Sequence, residues 1–305
     1  MELGQLRALR ELGERGSIAA VAAALHVTPS SVSQQISALQ RHTSTPLTYK
    51  EGRRTALTAA GRALAAAAIE VEVALERAEQ AIADFRSDTG GAVSVAAFHS
   101  AGLAVFGPLL GALDDPPGPE VTLTDFDVAQ TEFPALTATQ DLVIAHRLSG
   151  SPDWPSSVAV RPLLFEPLDV AMRRDHPLAQ RTSIRPEDLR DEDWIAVHEG
   201  FPLERAVGAI GTVAGQEPRI VHRINEFLIA ATVVAAGNGI ALLPRYTVRR
   251  ELQPELVLRP LELSALGRHV DALARPESLE RAAVRTVLGH LERIAAGLEN
   301  RVSTP

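Results

Sequence analysis

Two short helix signals joined by a tight turn, followed at once by an Arg-bearing hairpin, fill the first sixty residues and constrain the fold more than any other stretch. Gly16-Ser17 supplies an N-cap whose hydroxyl accepts a hydrogen bond from an orphan N–H, and Ile18, Val21, Ala22 and Leu25 recur at helical spacing. Leu25-His26-Val27 reads as a turn with Val27 directed inward. Thr28-Pro29 then restarts a helix with a capping hydroxyl and a proline whose missing N–H costs nothing there. This second helix is expected to run to about Leu39 or Gln40. Val32, Ile36 and Leu39 share its apolar face, while Ser30, Ser31, Ser33, Gln34, Ser37 and Arg41 occupy the others. A leading helix with Leu3, Leu6, Leu9 and Leu12 closes a three-helix core. Residues 48–50 and 55–57 flank Glu51-Gly52-Arg53-Arg54 and read as a hairpin with glycine at its tip. The order describes a winged helix-turn-helix.

Such a unit reads DNA, because short hydroxyl and amide side chains reach both base edges and phosphates. The candidate contacts are Thr28, Pro29, Ser30, Ser31, Ser33, Gln34 and Ser37 on the second helix, with Lys50, Arg53 and Arg54 on the wing. A solvated basic turn is the alternative for the wing charges. Residues 1–60 hold seven Lys/Arg against four acids, a net of +3, in a chain whose overall charge is −8. The basic footprint is therefore local, and the acidic remainder repels DNA and confines contact to this module.

From Thr58, a plausible N-cap, a long helix begins. Leu64, Ala68, Val71, Leu75, Ala78, Ile82 and Phe85 follow at alternating intervals of four and three, the spacing of a coiled-coil seam. Glu70, Glu72, Glu76, Arg77 and Glu79 lie off that seam, and the chain leaves at Ser87-Asp88-Thr89-Gly90-Gly91. Pairing through this stripe fixes two recognition helices in space for a two-fold symmetric site. The alternative is a helix packed on its own domain.

Beyond Gly91 short apolar runs alternate with helical stretches, the pattern of a parallel α/β sheet with crossover helices. Strands are expected at 93–97, 120–126, 142–145, 160–164, 168–172, 194–197, 240–244 and 269–273. Helices are expected at 100–113, from Asn225 through Ala236, and at 276–298. Ser100 and Asn225 stand at helix starts beyond strand ends, where ligands of open sheets bind. Turnover is not expected: the chain has no Gly-rich phosphate loop, no Gly-x-Ser-x-Gly elbow and no His clustered with carboxylates. Zero cysteines exclude disulfides and Cys-ligated zinc, and nine scattered histidines give no metal spacing, so neither metal nor cofactor is expected. With no charged leader and no membrane-length apolar run, a cytoplasmic location is expected.

In these residues the chain resembles the LysR-type transcriptional regulators over nearly its whole length. The likeness is carried by Gly16-Ser17-Ile18, Leu25-His26-Val27-Thr28, Val32-Ser33, Gln35-Ile36, Pro46-Leu47, Gly52-Arg53-Arg54 and Leu57-Thr58-Ala59-Ala60-Gly61. It continues in Asp141-Leu142-Val143-Ile144, Asp175-His176-Pro177-Leu178-Ala179 and Gly239-Ile240-Ala241-Leu242-Leu243-Pro244. The resemblance implies a sequence-specific regulator, a homodimer or a homotetramer built as a dimer of dimers, binding an inverted repeat near a promoter and contacting RNA polymerase. It implies a winged helix-turn-helix at 1–60, a linker helix and hinge at 61–91 and an effector domain at 92–300. That domain is expected as two α/β subdomains, 92–161 with 269–298 and 162–268, similar to periplasmic solute-binding proteins, with a small molecule between them. The positions implied to contact the effector are His99, Ser100, Asp127, Val128, Glu199, Gly200, Phe201 and Asn225. Gln34 stands where family members often carry Arg, which shifts affinity toward the wing. Arg147 and Arg205 suggest a carboxylate or amino-acid effector, with surface arginines as the alternative. An effector-independent architectural DNA-binding protein is the competing functional reading.

Overall fold

The computed structural model describes the chain apart from positions 53, 86–89, 115–117, 127, 200, 202, 248–253, 264–265 and 303–305. Helix α1 (Leu3–Arg15) buries Leu6, Leu9 and Leu12 and ends at Gly16, whose φ of 66° suits a residue without a Cβ. Ser17 opens α2 (Ile18–Ala24), its Oγ accepting from Ala20 N at 3.1 Å. Thr28 Oγ1 accepts from Ser31 N at 3.2 Å to open α3 (Pro29–Thr43), which buries Val32, Ile36 and Leu39. The helix passes its expected end because Gln40 ties the following chain: its Nε2 donates to Thr45 O and its Oε1 accepts from Leu47 N, both at 2.7 Å. Val27 does not point inward. Its N–H closes the turn on Ala22 O at 3.0 Å while His26 takes a φ of 53°, and the Val27 side chain is left 40% exposed.

Strands β1 (Thr48–Glu51) and β2 (Arg54–Leu57) pair antiparallel from Thr48↔Leu57 to Glu51↔Arg54, with Gly52 at φ 59° in the turn. The long helix α4 (Ala59–Phe85) starts where Thr58 Oγ1 accepts from Gly61 N at 3.0 Å. A Cβ on Gly61 would come within 2.0 Å of Leu47 O, so glycine there lets α4 close onto the chain just before the wing's first strand. Ala68 is fully buried and Leu64 partly buried in the core of the N-terminal module, so the first turns of the expected seam are engaged within the chain. Val71, Leu75, Ala78 and Ile82 remain exposed; the side chain of Phe85 lies outside the described residues.

The rest of the chain is built from β3 (Ala92–Ala97), α5 (His99–Ala112), β4 (Glu120–Asp125), α6 (Phe133–Leu136), β5 (Leu142–Leu148), β6 (Ala159–Arg173), β7 (Asp193–Ala196), α7 (Glu204–Ala214), β8 (Arg219–Arg223), α8 (Phe227–Ala235), β9 (Ile240–Pro244), β10 (Leu256–Arg259), β11 (Gly267–Ala274) and α9 (Ala282–Val302). Among the described residues the strands run in the order β4-β3-β5-β11-β6-β9-β7-β8, with β10 added to β6. The sheet is mixed rather than parallel. Parallel triplets β4-β3-β5 and β8-β7-β9 lie at either end, and β11 and β6 run antiparallel between them.

One strand, β6, replaces the two expected at 160–164 and 168–172, and it passes from one half of the sheet to the other. Its first part pairs with β11; from Leu168 it pairs with β9 and then β10. The prolines that suggested a break sit where a ladder tolerates them. Pro162 lies at a register shift opposite Val270/Asp271, and Pro167 lies at the hand-over opposite Gly267. Separate apolar cores flank the two halves, one around Leu142, Ile144 and Leu291, the others around Trp194 and Val234. No helix among the described residues is long and apolar enough to cross a membrane.

Candidate DNA-facing helix and effector cleft

On the outer side of α3, the residues that avoid its core are presented together. Thr28, Pro29, Ser30, Ser33, Gln34 and Ser37 are exposed and Ser31 is half-buried. Thr28 Oγ1 and Ser30 Oγ lie 2.9 Å apart, and Ser33 Oγ donates to Pro29 O at 3.0 Å. No acid occupies the first turn of α3, so its N–H groups and helix dipole favour a phosphate. On the wing, Lys50 and Arg54 are exposed, with Lys50 Nζ donating to Thr55 Oγ1 at 3.3 Å; Arg53 lies outside the described residues.

The second site lies where the two parallel triplets end. β3 runs into Phe98-His99-Ser100, β7 into Val197, and β8 into Asn225-Glu226-Phe227, and these turns enclose a cavity of about 190 Å³. Its floor is an ion pair inside the sheet. Arg268 and Glu166 are direct cross-strand partners on β11 and β6, 1% and 0% exposed, joined at 2.9 Å from Nε and 2.7 Å from Nη2. Nη2 also donates to Ser100 Oγ and Thr247 Oγ1, both at 2.9 Å. Glu166 accepts in addition from the backbone N–H groups of Tyr246 (2.8 Å) and Thr247 (2.6 Å). The guanidinium lies over the rings of Phe98 and Phe227, its Cζ 4.7 and 5.4 Å from their centroids. On β5, His146 stands edge-on to Phe98, and burial together with the charge of Arg268 brings its imidazole down to about 3, so it is neutral at pH 7.

Residues 3–62 match the model for the bacterial regulatory helix-turn-helix protein of the lysR family, and residues 86–296 match the LysR substrate binding domain. The chain belongs to the LysR family. It is a DNA-binding transcriptional regulator with an effector-binding domain. The RuBisCO operon transcriptional regulator of Acidithiobacillus ferrooxidans is 29% identical over 82% of this chain and 80% of its own. CbnR complexed with its target DNA shares the fold at a TM-score of 0.54 and 23% identity, over 97% of this chain and 100% of that one. The regulatory domain of Synechocystis CcmR in complex with 2-PG does so at 0.56 and 22% identity, over 67% and 97%.

In this LysR-family regulator His99, Ser100, Val128, Phe201 and Asn225 line the cleft. His99 is turned toward Asp125, 2.8 Å away, and Asn225 Oδ1 accepts from His198 N at 2.8 Å. Glu199 does not line the cleft: its side chain is 77% exposed and pairs with Arg223 at 3.1 Å. Asp127 and Gly200 lie outside the described residues. Helix α8 is opened by Glu226 rather than Asn225, its carboxylate accepting from Leu228 N (2.6 Å) and Ile229 N (3.0 Å). Neither Arg147 nor Arg205 lines the cleft. Arg147 pairs with Asp271 at 3.4 Å and Asp153 at 3.5 Å, and Arg205 lies along a separate surface depression. Sequence reasoning missed Phe98, His146, Glu226, Phe227 and Arg268. A signal for the last was present: a Glu inside the apolar run of β6 and an Arg beginning β11 are opposite charges that a buried sheet has to pair.

A second buried cluster joins the regulator's modules. Arg10 of α1, 2% exposed, reaches Glu72 of α4 and, at 2.7 Å, Glu277 in the turn after β11. Burial lowers its guanidinium, but Glu277 and Glu72 outweigh that and hold it above its ordinary value. Arg275, one residue past β11, reaches Glu11 and, at 3.4 Å, Glu14. The strand that carries Arg268 into the cleft thus ends against the DNA-binding module.

Proposed function

We propose that α3 and the wing read an inverted repeat while a small molecule in the cleft sets the placement of the paired DNA-binding modules and their contact with RNA polymerase. The observation that carries this reading is β11, which presents Arg268 to the cleft and is followed by Arg275 against Glu11 and Glu14 of α1. A ligand that shifts the two halves of the sheet relative to each other moves that contact. On this reading 1–60 is the DNA-binding module, 61–91 the linker, and 92–300 the effector domain, divided into 92–161 with 269–298 and 162–268. His99, Ser100, Val128, Phe201 and Asn225 contact the effector, and Thr28, Pro29, Ser30, Ser31, Ser33, Gln34 and Ser37 with Lys50, Arg53 and Arg54 contact DNA. Val71, Leu75, Ala78 and Ile82 form the exposed stripe through which two copies pair. The protein acts in the cytoplasm and catalyses no reaction.

The test is binding to the DNA upstream of its own gene, with random DNA as competitor at fixed salt. A footprint with two-fold spacing is expected. Arg54→Ala should weaken binding to all sequences and lower the salt slope by about one, whereas Gln34→Ala should relax sequence preference. Equal effects of the two on random DNA would remove the division of roles.

A further inference from the structure

We propose that the cleft selects an uncharged ligand of single-ring size bearing a hydroxyl, and disfavours a carboxylate; the inference rests on the effector reading of the cleft given above. The first argument is charge. Arg268, the permanent cation of the lining, is already engaged by Glu166, Ser100 and Thr247, and Phe98 and Phe227 lie against its guanidinium. An entering carboxylate has to share it with the fully buried Glu166. A second feature that attracts anions, the start of α8, is occupied by the chain's own Glu226. Other donors at the cleft are the N–H groups at the start of α5, the side-chain amides of Gln130 and Asn225, and the Ser100 hydroxyl, which accepts from Arg268 and keeps its own hydrogen. Asp125, 2.8 Å from His99, and Glu166, which pairs with Arg268 behind Ser100, place carboxylates close to those donors.

The second argument is His146. It lines the cleft, its Nδ1 is buried with no hydrogen-bond partner among the described residues, and the ring stands edge-on between Phe98 and Phe133 at 4.6 and 5.5 Å. A neutral imidazole offers one donor and one acceptor, which a hydroxyl satisfies in either sense. A carboxylate, which only accepts, can use the one N–H of the neutral ring and leaves its acceptor nitrogen unserved. The third is size. A cavity of roughly 150 Å³ lined by apolar side chains holds benzene, and this cleft encloses about 190 Å³.

The experiment uses the full chain with phenol and benzoate, one ring with a neutral or an anionic head at pH 7, each read by thermal shift and by the imidazole resonances of His146. Phenol should raise the melting temperature, move those resonances and bind at least about tenfold more tightly than benzoate. His146→Phe should weaken phenol about two- to tenfold, and His146→Gln, which keeps a hydrogen-bonding group, should restore it. Benzoate binding the more tightly, with His146 resonances moved, overturns the ligand class and leaves the effector cleft standing. Neither probe moving the His146 resonances at millimolar concentration overturns both. Phenol binding unchanged in His146→Phe also overturns the inference, because the ring would then be held by packing alone.

Discussion

The Arg268 cluster in the cleft and the Arg10 cluster at the joint between modules are built from the same groups and reach opposite states of satisfaction. In the cleft, arginine and glutamate face each other across one sheet, and ladder bonds fix their strands before the charges meet. Hydroxyls and backbone N–H groups of Ser100, Tyr246 and Thr247 then complete the shell. At the joint, the partners come from α1, α4 and the turn after β11, which share no ladder. Arg10 Nη2, Arg275 Nε and Glu277 Oε2 are buried there without hydrogen-bond partners among the described residues. Both clusters carry a desolvation cost. Only the first offsets it in full, and opening the second returns groups to water. The molecule is therefore fully paired at the ion pair of the cleft and able to give where the modules meet.

The largest effect expected is from Glu166→Ala, which leaves Arg268 buried and unpaired along with the N–H groups of Tyr246 and Thr247. Denaturant unfolding should show a loss of about 3–5 kcal/mol. A loss below about 1 kcal/mol would erase the contrast between the clusters.

Arg10→Met should cost less, about 1–3 kcal/mol, because Glu72 and Glu277 regain hydration when the joint opens. Its signature is local. Ala282 N donates to Gln80 Oε1 at 2.8 Å across the same joint, and amide exchange there should accelerate while exchange in β11 and β6 stays slow. Equal acceleration in both places would make the joint part of the global core.

Acidification sharpens the cleft side. His146 has a lowered folded value, about 3, so between the ordinary histidine value and that limit the unfolded chain takes up a proton that the folded chain refuses. Stability is then lost as pH falls from about 6.5, with a limiting slope of about 1.4 kcal/mol per pH unit from this group. The difference between the protein and His146→Phe isolates it, and a difference that stays flat between pH 7 and 5 would place His146 in water.

Local chemistry was legible in the sequence, and long-range pairing was not. Ser17, Thr28 and Thr58 cap the helices they were expected to cap, because a cap is decided within four residues. Val27 faces outward because a positive φ at His26, which pattern does not encode, turns the chain. Pro162 and Pro167 masked the continuity of β6, since only the partner strands show where an N–H is dispensable. In the cleft, Ser100 and Asn225 were found from helix starts, whereas Arg268 and His146 come from strands more than 120 residues apart, and only the sheet brings them together. Glu72 was expected off the helix stripe, and it is buried there because α1 packs on that flank and presents Arg10.

The smallest effect expected is from Arg275→Ala. Arg275 is 15% exposed, and Glu11 keeps Arg15 at 2.6 Å after its removal, so about 1 kcal/mol is expected at pH 7.5. The pH dependence says how the joint adjusts. Burial raises the Glu14 carboxyl above its ordinary value, and Arg275 is the first of the charges opposing that rise. Burial also acts on Glu11, which Arg275 and Arg15 together hold below its ordinary value. Without Arg275 both carboxyls move up, so the folded variant binds protons more readily than the parent. The loss should therefore shrink as pH falls toward 5. A loss equal at pH 5 and 7.5 would mean that Arg275 contributes packing alone, and that the joint is held by Arg10 and Arg77, the latter pairing with Glu280 at 2.9 Å from the far side of α4.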